Sequence, residues 1–257
     1  MRALIILAFG LAIATVGTSA RRIVGGSVTS IETHPYAAAL FVSPVGTTVF
    51  RYYCTGSIIN NRSVLTSCAC FLVYAGESMW RVNVGSTDIS NGVAYRVNRI
   101  ISHENFNLIT YENDIAMIRI QGAFSFNNRV SAAPIAGPNY NLPDNAPVSI
   151  IGWGATSLQG PSSSQLRHVQ VSVLNQSECR NRYAEVANNR SVTDNMMCSG
   201  YLDIGGHGAC GSDLGSPIIH NNVIVGVSSW RYQCGHPRYP DVNTRVSRYT
   251  SWILSNQ

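Results

Sequence analysis

Past residue 22 the chain is built from short β-branched runs, each stopped within a few residues by Gly, Asn, Pro or Ser. They include AAALFV (Ala37–Val42), SIINN and SVLTS between 57 and 67, WRVNVG (80–85) and IAMIRI (115–120). VSIIGWG (148–154), HVQVSVL (168–174) and VIVGVSSW (Val223–Trp230) follow. Such runs are too short for an amphipathic helix. Repeated at this density, they predict an all-β barrel or sandwich. The stretch 121–145 reads as loop and is placed to join two halves. Near the end, Val246, Tyr249, Trp252 and Ile253 recur at helical spacing, which predicts a closing helix over 246–256. With 257 residues, 45% hydrophobic and 12% charged, the chain can bury a full core in one or two domains, and long disorder is excluded.

The first twenty residues do not belong to that pattern. Arg2 precedes an apolar run, ALIILAFGLAIATV, and then the small residues Gly17-Thr18-Ser19-Ala20. A charged start, a short apolar stretch and a small-residue site describe a secretory leader over 1–20. An N-terminal anchor is the alternative, but the run is short for a span and no later segment qualifies. The expectation is a secreted, extracellular chain with no membrane partner. Export also fits the seven cysteines, because an oxidising compartment lets them pair. Six can pair and one is left over, and spacing alone does not choose among the connectivities. Cys68-x-Cys70 has no second close pair or histidine cluster beside it, so neither metal nor cofactor is expected.

All 18 basic residues are Arg. Lysine loses its charge near pH ~10.4, whereas guanidinium keeps it beyond ~12, so this surface stays cationic in an alkaline fluid. Formal charge is +5, and loss of Arg2, Arg21 and Arg22 would bring it to +2. That does not indicate a nucleic-acid partner. Three sequons, at Asn61, Asn175 and Asn189, could carry glycans on an exported chain.

The stretch Cys210-Gly211-Ser212-Asp213-Leu214-Gly215-Ser216-Pro217 has the composition of a tight, site-building loop. It stands with other motifs: Arg22-Ile23-Val24-Gly25-Gly26, Leu65-Thr66-Ser67-Cys68-Ala69-Cys70, Asn113-Asp114-Ile115-Ala116, Gly152-Trp153-Gly154 and Ser228-Ser229-Trp230. Together, in order over 22–256, these resemble the trypsin/chymotrypsin family of serine proteases, most closely the type found in the gut of moths and butterflies. The resemblance implies two six-stranded antiparallel β-barrels with a site between them, and a C-terminal helix. The barrels would fall at about 23–130 and 131–245, behind a leader of 1–20 and a residual activation segment, 21–22. It also implies the pairs Cys54–Cys70, Cys179–Cys198 and Cys210–Cys234, leaving Cys68 free.

The family's chemistry needs a serine hydroxyl, a histidine to take its proton and an aspartate to hold that histidine. By the resemblance, Asp114 is the aspartate, while Ala69 stands at the histidine position and Leu214 at the serine position. Neither side chain can move a proton or attack a carbonyl. Ser212 and Ser216 flank Leu214, but both lack a base. The resemblance places Ser212 and Ser216 at loop glycines, Ser212 at one whose N–H helps bind the developing oxyanion. Gly208 stands where trypsins carry their specificity aspartate, and Asp241 where a pocket wall is usually glycine. Arg231 stands at the pocket mouth, and its guanidinium is expected to fold in onto Asp241. Ser229 and Trp230 would form the peptide-binding wall. Arg22–Ile23 keeps a trypsin-type cleavage site, and Asp213 is the expected partner of the new Ile23 ammonium.

Two readings follow. The preferred one is a secreted, monomeric, non-catalytic homolog that binds peptides, protease inhibitors or another protein in the gut lumen, after cutting by an activating trypsin-like protease. The alternative is an active trypsin-like endopeptidase in digestion.

Overall fold

The computed structural model describes residues 25–257 apart from 46, 159 and 187–189. The leader, Arg22, Ile23 and Asn189 therefore lie outside the described residues.

After a two-residue strand, β1 (Ser27–Val28), six strands close the first barrel. They are β2 (Ala37–Val42), β3 (Arg51–Ile58), β4 (Ser63–Thr66), β5 (Trp80–Val84), β6 (Val93–Ser102) and β7 (Ala116–Ile120). Their order is β2-β3-β4-β7-β6-β5, and β5 pairs back onto β2. The second barrel uses β8 (Pro147–Gly152), β9 (Arg167–Val173), β10 (Met196–Gly200), β11 (Pro217–His220), β12 (Val223–Trp230) and β13 (Asp241–Arg245). It runs β9-β10-β13-β12-β11-β8 and closes through β8–β9, with β1 added to β9 at Ser27↔His168. Every pairing between these strands is antiparallel.

Strand periodicity explains how the halves meet. Successive side chains of a strand point to opposite faces. On β2, Ala38, Leu40 and Val42 face the interior of the first barrel with Trp80 and Val82. Ala37 and Ala39 face the other way, into a cluster with Ile150, Ile151 and Trp153 of the second half. Small side chains on that second face let the barrels approach closely. The loop 121–145 is tied to both halves. Ser131 and Ala133 N–H donate to Pro35 and Ile58 carbonyls, and Ala136 N–H donates to the Ile224 carbonyl on β12.

Disulfides join Cys54–Cys70, Cys179–Cys198 and Cys210–Cys234, each contributing roughly 2–4 kcal/mol. Cys68 is free and buried.

Two helices depart from the sequence expectation. The α1 helix (Gln176–Ala184) lies in a stretch with no predicted helix. Its signal was Asn175 three residues before Glu178: the Asn175 side chain caps the Glu178 N–H at 3.0 Å. The closing helix is shorter than 246–256. Val246–Arg248 forms a separate 3-10 turn, Tyr249 leaves helical torsions (φ −115°, ψ 8°), and α2 spans Thr250–Ser255. Among the described residues no helix is long and apolar enough to cross a membrane.

Candidate active site

The CACF stretch after β4 forms a 3-10 turn, Cys68–Phe71, that Ser67 caps. This turn meets Asp114, which immediately precedes the buried run into β7. The Asp114 carboxylate is fully buried and receives four contacts. Ser67 Oγ donates at 2.7 and 2.8 Å, the Ala69 N–H at 2.9 Å and Ser229 Oγ at 2.5 Å. Burial pushes Asp114 above the usual carboxylate range, and hydrogen bonds from Ser229, Ser67 and Ala69 oppose that push. Ala69 is thus beside Asp114, but it meets the carboxylate with its backbone.

No imidazole reaches this carboxylate among the described residues. His34 bonds the Tyr36 hydroxyl, His168 bonds Ser27, and His220 bonds Tyr140. His207 contacts the Gly205 carbonyl, and His103 and His236 accept nearby backbone N–H groups. Cys68 lies under the same turn, with its thiol 2.9 Å from the Ile115 carbonyl. Burial, then the Asp114 charge, pushes that thiol up to about 12, so it is held as a protonated hydrophobe.

The turn 210–216 faces this from the second half. Ser212 has φ 64°. A left-handed torsion is costly for a side-chain-bearing residue, on the order of 1–2 kcal/mol, yet this position keeps it. The Tyr52 hydroxyl braces the turn by donating to the Ser212 carbonyl at 2.8 Å. Gly215 (φ 78°) has no room for a side chain, since a Cβ would lie 2.0 Å from Thr66 Oγ1 and 2.2 Å from the Thr55 carbonyl. Leu214 packs half-buried against the first-barrel cluster, and its carbonyl accepts the Thr55 N–H at 2.9 Å. Among the described residues, neither the Ser212 nor the Leu214 N–H has an acceptor within the chain.

Asp213 points inward from the same turn and is fully buried. Its two oxygens accept the Gly154 and Cys210 N–H groups, both at 2.9 Å. Gly154 has to be glycine here, because a Cβ would fall 2.1–2.2 Å from the Asp213 carboxylate. The Gly152-Trp153-Gly154 motif is therefore the slot into which Asp213 fits.

Beneath the turn, Asp241 at the start of β13 takes the space in front of Gly208. A Cβ on Gly208 would lie 2.5 Å from Asp241 Oδ2, which instead accepts the Ala209 N–H at 2.6 Å. Arg231, just after β12, lies 3.4 Å from Asp241 through Nε, an ionic contact without hydrogen-bond alignment. Its other nitrogens donate to the Cys210 carbonyl (3.0 Å) and Ser228 Oγ (3.1 Å). Burial raises both Asp213 and Asp241 to about 6; for each, the Arg231 charge opposes the rise.

At the cleft wall, β11 pairs with β12 only as far as Val227, and the Ser228 backbone is taken up by Ser216 and Gly215. From Ser229 onward β12 has β13 on one side only. The Trp230 ring is buried against Tyr183, centroids 4.8 Å apart, so this wall offers backbone and not an indole face. Tyr52 was not singled out from sequence, and Ser67, Gly154 and Ser228 stood in the quoted motifs without the partners described above. Ser67 had a signal, a turn-capping serine two residues before Ala69; Tyr52 and Gly154 depend on contacts 160 and 59 residues away, and Ser228 on Arg231 and the turn at 215–216.

Comparisons with known proteins place this geometry. The Trypsin family model matches residues 23–253. The chain is 49% identical to "Trypsin, alkaline A" of Manduca sexta over 98% of both chains. It is 48% identical to "Trypsin CFT-1" of Choristoneura fumiferana over 92% of this chain and 91% of that one. With "Achelase-1" of Lonomia achelous it shares 43% over 91% of this chain and all of that one. These matches correct the expectation of a protein that is not an enzyme. Relatives similar along nearly the whole chain carry the name trypsin, which points to an enzyme. That expectation rested on two side chains, at 69 and 214, while the similarity runs along the rest of the chain. The chain belongs to the trypsin family of serine proteases.

Proposed function

We propose that the chain is an exported trypsin-type peptidase acting on polypeptide in digestion, in the gut lumen. The observation that carries the reading is similarity to named trypsins across more than nine-tenths of the chain. Polypeptide pairs as an added strand with β12 at Ser229 and Trp230. Its carbonyl oxygen is received by the Ser212 and Leu214 N–H groups, donors aimed where charge develops. The Leu214 side chain has no lone pair and the Ala69 side chain cannot carry a proton, so water is the nucleophile: it adds to the carbonyl and gives a proton to solvent, and the C–N bond breaks as the leaving amine takes a proton from solvent. Asp114 holds the turn of Ala69 in place and does not touch substrate. Backbone donors and binding alone give roughly 10³–10⁴-fold acceleration over water, on the order of 10⁶ below a complete triad.

Arg231 fills the pocket in front of Asp241, so a substrate Arg or Lys meets a cation there. A trypsin-type protease cutting at Arg22–Ile23 supplies the ammonium that Asp213 takes, and the protein works as a monomer. Peptide-like inhibitors compete for the same strand edge.

The test is casein and activated peptide-ester hydrolysis by the processed chain, with and without a fluorophosphonate. Slow turnover that survives the reagent supports the reading, because a contaminating serine protease would be silenced. Rates equal to the solvent blank would overturn it. For the pocket, benzamidine should bind Arg231→Gly at least tenfold more tightly than the parent; equal affinity removes Arg231 from the pocket.

A further inference from the structure

Away from the cleft, the β3–β4 hairpin carries the sequon Asn61-Arg62-Ser63 at its tip. A hollow of about 400 Å³ opens beside it, lined by Asn61, Arg62, Ser63, Asn98, Arg119 and Gln257 among others. Asn61, Arg62 and Asn98 are exposed, and half-buried Arg119 donates to the Asn256 and Gln257 carbonyls at 2.9 and 2.7 Å. Exposed amides and a guanidinium around a hollow suit a ligand rich in hydroxyls and carbonyls. The lining contains no acidic side chain. Asn61 itself is exposed. Its backbone carbonyl accepts the Phe124 N–H at 2.7 Å, which fixes the tip, and its side-chain amide bonds nothing among the described residues.

The second described sequon is the opposite case. Asn175 caps α1 through Oδ1, which accepts the Glu178 N–H and the Ser177 hydroxyl, and its Nδ2 donates to Asp144 at 2.7 Å. A sugar on Nδ2 would have to displace that contact.

We propose that Asn61 is an N-glycosylated asparagine of this protein, and that its first N-acetylglucosamine seats in the adjoining hollow against Arg62 and Asn98. The inference rests on export. In the step itself, Asn61 Nδ2 bonds to C1 of an oligosaccharide carried on a lipid diphosphate. The C1–O bond to the diphosphate breaks, the diphosphate leaves with the electron pair, and the amide gives up one proton. Ser63 is buried once β4 pairs, so the step precedes closure of the hairpin.

The test places residues 21–257 behind a strong heterologous secretion leader in insect cells, so that passage through the secretory lumen does not depend on the native leader. Glycopeptide mapping of the medium should find the sugar at Asn61, absent from Asn61→Gln and retained in Asn175→Gln. An unmodified Asn61, or occupancy at Asn175 in its place, overturns the proposal. Enzymatic trimming to a single sugar then tests the seating. That form should melt about 2–4 °C above Asn61→Gln, the shift expected for roughly 1 kcal/mol in a domain of this size. Equal melting temperatures overturn the seating in the hollow. Failure of secretion with the native leader alone would count against export and leave the mapping result intact.

Discussion

Two buried carboxylate sites flank the cleft, and they are satisfied by different chemistry. Asp114, between the barrels, is held by neutral donors: two serine hydroxyls and the Ala69 N–H. Asp213 and Asp241, in the second half, have backbone donors but also share one guanidinium, Arg231, whose charge lowers both. The first site is a hydrogen-bond cage that needs no cation. The second is a charge cluster with one more anion than cation, and burial leaves both of its carboxylates near 6. A cage of neutral donors needs no counter-charge, while a cluster of buried carboxylates needs a cation. Arg231 fills that role for Asp241, and the Ile23 ammonium would do so for Asp213.

The largest effect should come from rebuilding the first site. Ala69→His with Leu214→Ser gives Asp114 an imidazole and the turn a hydroxyl, and turnover on peptide esters should rise by several orders of magnitude, up to roughly 10⁶. No gain would mean that the cage does not orient a histidine. Breaking the second site comes next. Arg231→Ala leaves two buried carboxylates without their cation and should cost about 3–5 kcal/mol by denaturant unfolding at pH 8.

That cost depends on pH. Both carboxylates sit at about 6 when folded, above the ~3.9 of an unfolded aspartate. The native state therefore holds more protons between about pH 4 and 6, and stability falls as pH rises through that window. Cutting at Arg22–Ile23 should flatten this slope by giving Asp213 a cation. A slope identical in cut and uncut chains would sink the comparison.

Asp114→Asn is expected to cost less, about 1–3 kcal/mol, as one amide oxygen replaces two acceptors within the cage. Ser212→Gly is smallest: release from the left-handed torsion is partly offset by glycine's entropy, a net gain of about 0.5 kcal/mol by thermal melting. The same variant tests the proposed oxyanion donors, since the N–H remains and turnover should hold.

How much of this could be read beforehand divides along similar lines. Strand-length runs and the motifs spread over 22–256 carried the two-barrel fold, because each strand writes its own period. The missed α1 had only a local cap, Asn175 to Glu178, as a signal, and its exposed face is polar nearly throughout. In the site, types and order of residues were visible at 69, 114 and 214. The Ser67 and Ser229 donors on Asp114 were not, because they reach it across 47 and 115 residues of chain. The torsion of Ser212 was equally hidden, since a serine in the sequence carries no mark of its backbone angle.

The ion pairs on the second barrel, Arg180–Asp194, Arg182–Asp203 and Arg238–Glu185, are made by guanidinium alone. A chain without a single ε-amine gives aldehydes and oxidised plant phenols nothing on its surface to cross-link by amine addition. Its one amine is the α-amino group. An amine-directed dye would therefore report on a single atom: reactive while that group is free in solvent, and silent once it is sheltered against Asp213.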